Sequence, residues 1–140
     1  MKTLTLIIAL VLSVNLSNAQ SSKTLRDITV TIENIANNKG NVIFGLHTED
    51  TFMKGQGIAS AASDIVDGKV TVTFKNITEG TYAIMALHDE NKNKKMDFQD
   101  NGMPMESYGM SNNPVSYGPP QYATAKFNLK NDNIYMKIIF

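Results

Sequence analysis

Residues 80–88 read Gly-Thr-Tyr-Ala-Ile-Met-Ala-Leu-His. Successive side chains of a strand point to opposite faces. Tyr82, Ile84 and Ala86 therefore share one face, and Ala83, Met85 and Leu87 the other. Apolar residues on both faces predict a central strand covered on both sides. The neighbouring segments alternate more strictly. Ile28, Val30 and Ile32 are interleaved with Thr29, Thr31 and Glu33, and Val70, Val72 and Phe74 with Thr71, Thr73 and Lys75. Each reads as a half-buried strand, and no window after residue 20 holds a helical period.

Turn chemistry separates these runs. Asn38-Lys39-Gly40 precedes a strand built on Val42, Phe44 and Leu46. Asp67-Gly68 is a two-residue hairpin signal, because both positions tolerate positive φ. Ile58 and Ile65 bracket an Ala/Ser-rich stretch that reads as an edge strand. Ala123, Ala125, Phe127 and Leu129 predict a further strand, and Asn131-Asp132-Asn133 turns the chain into a last one carrying Ile134, Met136, Ile138 and Phe140. The expectation is an all-β immunoglobulin-like or prealbumin-like β-sandwich of six or seven strands with one long loop over residues 89–121.

Composition and the N-terminus set the class. Thirteen Lys and Arg balance thirteen Asp and Glu, and there is no cysteine. No basic stripe suits the chain to nucleic acid, and no disulfide staples the fold. Lys2, the apolar run Leu4–Val14 and the small residues Ser17-Asn18-Ala19 have the order of a secretory signal peptide. Residues 1–19 are thus expected to be a signal peptide and residues 20–140 a single β-sandwich domain, secreted or periplasmic. No apolar segment reaches membrane-spanning length.

The chemistry is expected in the long loop, since a connection of that length without a strand pattern is usually functional. Residues 89–100 read Asp-Glu-Asn-Lys-Asn-Lys-Lys-Met-Asp-Phe-Gln-Asp. Oxygen-bearing side chains occupy relative positions 1, 3, 5, 9 and 12, the ligand positions of an EF-hand-type calcium loop, where position 7 supplies a carbonyl. The candidate metal ligands are Asp89, Asn91, Asn93, the Lys95 carbonyl, Asp97 and Asp100. Calcium favours such a set because it takes about six to eight hard oxygens. Lys94 stands at position 6, where the sharp turn favours glycine. The bland alternative is a series of Asx-turns, in which Asp and Asn bond to their own backbone without a cation.

Residues 102–121 are rich in glycine and proline. Tyr108, Tyr117 and Glu106 are candidate ligand contacts there, alongside His88 at the end of the central strand, which as a lone histidine is expected rather to bond a loop carbonyl and fix the strand end. One reading is a metal-free carbohydrate- or peptide-binding platform; another is a loop folded over one end of the sandwich. No Ser/His/Asp order, HExxH motif or cysteine nucleophile points to an enzyme. The expectation is a non-enzymatic module with a structural calcium ion and an extracytoplasmic ligand or protein as its partner.

A series of motifs runs through this half of the chain: Gly80-Thr81-Tyr82-Ala83, His88-Asp89-Glu90-Asn91, Asn93, Asp97, Gly102-Met103-Pro104, Glu106, Tyr108-Gly109, Ser111-Asn112 and Gly118-Pro119-Pro120. In that order it resembles the bacterial secreted family called domain of unknown function 2141, over about residues 27–140. The resemblance implies the fold and export, and no activity. Members of that family usually have glycine where this chain has Lys94. Glu79-Gly80-Thr81-Tyr82 also resembles a turn of prealbumin-like domains in secreted carboxypeptidases, which bears on architecture alone.

Overall fold

The computed structural model describes residues 24–115 and 117–140. The expected leader at residues 1–19 lies outside them. Eight strands and one helical turn follow in order: β1 (Leu25–Ile32), β2 (Asn41–His47), β3 (Ala59–Ser63), β4 (Val70–Thr78), β5 (Gly80–Asp89), β6 (Tyr108–Met110), α1 (Tyr122–Ala125), β7 (Phe127–Leu129) and β8 (Ile134–Ile138). One sheet has the order β4-β1-β8; the other has β3-β2-β5-β6, with β7 also pairing β5. The architecture is an all-β sandwich.

The alternation read from the sequence is what closes the two sheets on each other. Ile28, Val30 and Ile32 of β1 and Val42, Phe44 and Leu46 of β2 are fully buried, and Val70, Val72, Phe74, Tyr82, Ile84, Ala86 and Ile138 complete one core. The threonines between them form a ladder on the outer face, with Thr29 Oγ1 2.9 Å from Thr73 Oγ1 and Thr31 Oγ1 3.0 Å from Thr71 Oγ1. Asp67 and Gly68 both have positive φ, at 51° and 70°, and Val66 and Lys69 exchange two backbone hydrogen bonds across them. This is the twisted two-residue turn the dipeptide favours.

β5 is fully covered on its core side and covered in part on the other, where Met85 and Leu87 stay half-buried. Its second face meets a smaller cluster of Phe52, Ala83, Met110 and Ala125, against which Met85, Tyr108 and Tyr122 pack.

Three features depart from the expected outline. The 89–121 segment is not a single loop: Tyr108–Met110 returns to β5 as β6, pairing with Met85–Leu87. Only a glycine fits there, because a Cβ on Gly109 would lie 2.4 Å from the Ile139 carbonyl oxygen. The strand expected from Ala123 begins instead as the turn of helix α1, and only Phe127–Leu129 is extended. The alanines that alternate like a strand are also the best helix formers. Finally, β7 and β8 do not pair. β7 joins β5 and β8 runs parallel to β1, so the Asn131-Asp132-Asn133 turn crosses between sheets.

Glu33, just beyond β1, bridges its sheet. Its carboxylate accepts from Lys137 of β8 and lies 2.9 Å from the Lys69 ammonium before β4. The hydrogen bond and charge of Lys137, then those of Lys69, lower its pKa to about 2.

Candidate functional site

The site grows from the end of β5. Asn41 and Asp89 face each other across the β2–β5 pairing, and the chain then coils tightly through residues 90–97. Asp89 is fully buried. Its Oδ1 accepts from the Asn93 amide at 3.0 Å and its Oδ2 from the Lys94 amide at 2.8 Å. Asn91 Oδ1 accepts from the Asn93 amide at 3.0 Å, and Asn93 Oδ1 from the Lys95 amide at 2.8 Å. The Asx-turns and the ligand-type spacing are therefore the same geometry: short polar side chains point into the coil and hold its backbone.

The loop needs left-handed backbone at two lysines. Lys92 has φ 59° and Lys94 φ 64°, in the region that costs an L-residue about 1–2 kcal/mol. Gly40 lines the same end, and a Cβ there would fall 1.9 Å from the Asp89 carbonyl oxygen.

Four of the sequence-predicted positions converge. The Asn91 amide nitrogen lies 2.6 Å from Asp97 Oδ2, and the Asn93 amide nitrogen 3.0 Å from each Asp97 oxygen. Asp89 holds the Asn93 backbone in that group. Asp100 departs from the expected set. Residues 98–104 form a small hairpin, in which Gln99 and Met103 bond and Phe98 bridges Pro104. Asp100 stands exposed in its turn.

The carboxylate that staples the coil is Glu106. It is 8% exposed, and it accepts the Glu90 amide at 3.0 Å and the Asp97 amide at 3.2 Å. Both of its oxygens thus serve the loop rather than a free ligand. His88 bonds a loop carbonyl at the strand end, the alternative to a ligand contact. It lies in the core, with Nε2 2.8 Å from the Lys39 carbonyl oxygen, and it stacks on Phe140 at 6.2 Å.

Tyr108 is half-buried and Tyr117 fully exposed. Both line a groove of about 1400 Å³ over the outer face of the β3-β2-β5-β6 sheet. Its floor is Ile43, Met85 and Leu87, and its walls include Met53, Phe98 and Met103.

His47, a residue without an assigned role in the sequence reading, closes one end of that groove. Its Nδ1–H donates to the Thr51 carbonyl at 3.0 Å, which leaves Nε2 as the lone-pair nitrogen of the neutral ring. Burial lowers its pKa, against a smaller rise from the Thr51 hydrogen bond. Gly45 is required beside it, since a Cβ there would lie 2.5 Å from His47 Nε2. The sequence signal for the floor was present: apolar Met85 and Leu87 sit on the β5 face opposite the core. The signal for the walls was not, because they come from separate loops.

The sequence model of a family described as an uncharacterized protein conserved in bacteria, DUF2141, matches residues 30–137. This chain belongs to that family. No curated protein and no solved structure matches it. The DUF2141 match runs from within β1 to within β8 and includes both the Asp89 loop and the groove.

A metal donor set can be judged from this geometry. Among the described residues, no three His, Cys, Asp or Glu side chains group closely enough to hold an ion. A cation at the Asp89 coil would have to draw on amide and carbonyl oxygens as well, a hard-oxygen set that suits calcium and not a transition metal. Asn41 Oδ1, buried beside Asp89, has no hydrogen-bond partner among the described residues. No helix among the described residues is long and apolar enough to cross a membrane.

Proposed function

We propose that this DUF2141 protein is an exported, non-enzymatic β-sandwich module whose 89–106 loop is ordered by a weakly held calcium ion. Its partner is an extracytoplasmic ligand or protein. The observation that carries the reading is Asp89. A carboxylate with no exposure sits at the mouth of a coil into which Asn91, Asn93 and Asp97 also turn. Burying such a charge is costly unless it is paired or well bonded. Two backbone amides meet part of that cost, and calcium, when bound, would supply positive charge. Asp89, Asn91, Asn93, Asp97 and the Lys95 carbonyl would hold it. The partnerless Asn41 oxygen supports an added electropositive neighbour at this end of the sheet.

Two carboxylates and two neutral amides make a weak set, in the range of about 10⁻⁴–10⁻³ M typical of extracellular modules. The non-enzymatic part is supported by where the buried polar groups point. His88, Asp89 and Glu106 all direct their atoms at backbone partners.

Thermal melting tests the calcium reading. At about 10 mM calcium, a site of this affinity adds about 1.4–2.7 kcal/mol to the native state. The expected outcome is a melting temperature several degrees above that in chelator, with magnesium ineffective. Identical melts in all three buffers would overturn it.

A further inference from the structure

We propose that the groove over the outer sheet face binds a long-chain fatty acid, with its carboxylate at Lys94 and Lys95 and its alkyl chain along β2. Three observations converge on this.

The first is shape. Asn41 and His47, the first and last residues of β2, both line the groove, so it runs the length of that strand, about 20 Å. The second is lining. Ile43, Met85 and Leu87 form a half-buried apolar floor where an outer sheet face ordinarily carries polar groups. Met53, Phe98 and Met103 stand on the walls with 55%, 59% and 60% exposure. Flexible methionines over a branched aliphatic floor suit a chain of methylenes. A sugar would need convergent hydrogen-bonding groups, and two open acceptors on the lining, His47 Nε2 and Asn41 Oδ1, stand at opposite ends of β2 and do not converge. Asp89 binds backbone amides, and His47 Nδ1–H binds the Thr51 carbonyl.

The third is charge. Lys92, Lys94 and Lys95 all line the end of the groove that begins at Asn41. Lys92 is engaged by Asp64 at 3.4 Å, whereas among the described residues no salt bridge involves Lys94 or Lys95. An apolar trough with cations at one end matches a ligand with a single anionic head and a long tail.

Equilibrium dialysis of the exported chain against labelled palmitate, below its micellar concentration and in chelator, tests this independently of the calcium reading. The expected result is saturable one-site retention, with octanoate much weaker and the palmitate methyl ester about five- to tenfold weaker. Lys94→Asn with Lys95→Gln should abolish the preference for the acid while leaving the ester unchanged. Leu87→Glu, which places a carboxylate on the floor, should abolish both; circular dichroism reports whether it folds, and the lysine variant carries the test if it does not. No retention of palmitate, or equal retention of acid and ester, would overturn the proposal. So would retention of a maltooligosaccharide or an extended peptide in its place. A concentration-dependent dimer that Leu87→Glu dissolves would assign the groove to a second copy.

Discussion

Replacing Asp89 by alanine removes a buried side chain that ties the end of β5 to the coil beyond it. Its two oxygens accept from the Asn93 and Lys94 amides at 3.0 and 2.8 Å in a fully buried position. A hydrogen bond to a charged group is worth about 1.5–3 kcal/mol, and an amide stranded by its loss costs about 1–3 kcal/mol when water cannot reach it. Water can reach part of this exposed coil, so the low end applies, giving about 3 kcal/mol for the pair.

For a chain of this size the unfolding entropy is about 0.25 kcal/mol/K, which converts that loss to about 12 °C in melting temperature. The local effect should exceed the global one. Lys92, Lys94 and Lys95 are exposed in the coil, so trypsin reports its opening directly. Asp89→Ala is expected to speed cleavage there at temperatures where the rest of the domain stays folded. Asp89→Asn keeps one acceptor and should fall between. If Asp89→Ala melts within a degree or two of the wild type and is cut no faster, the coil is not held by this carboxylate.

Three further outcomes follow from individual residues. Lys94→Gly relieves the left-handed backbone at φ 64° and should raise the melting temperature by about 2–4 °C, net of glycine's entropy in the unfolded chain, as scanning calorimetry can check. Glu33 has its pKa lowered from 4.5 to about 2, so its stabilisation is complete above about pH 4.5 and is lost as pH falls through 2. Wild type should therefore melt above Glu33→Gln near neutral pH, and the two curves should converge at about pH 2. His47 is buried and has its pKa lowered from 6.5, so its neutral form favours folding above that value, and stability declines below it as the unfolded chain takes the proton first. An NMR titration showing His47 at or above 6.5 would contradict its burial.

The strands legible in the sequence are those whose pattern carries its own physics. A half-buried strand must alternate, and β1, β2, β4 and β8 alternate. A two-residue turn must tolerate positive φ, and Asp67-Gly68 does. The inward-pointing spacing of Asp89, Asn91, Asn93 and Asp97 was likewise readable, because a tight coil turns those side chains inward whatever surrounds it. Asp100 and Glu106 were not separable by spacing. A hairpin at 98–104 carries Asp100 out to its tip and returns the chain so that Glu106 closes the coil.

The sequence by itself determined an all-β chain with an Asx-rich coil after its central strand, since periodicity and turn preference act over a few neighbouring residues. Only the tertiary structure decided that β8 lies parallel to β1, that β7 and β8 belong to different sheets, and that Tyr108–Met110 is a strand. It alone assembled the groove, whose floor comes from β2 and β5 and whose walls come from three loops far apart in the chain. Local preference cannot encode such a surface. Its residues meet only because the two sheets bury their other faces against each other.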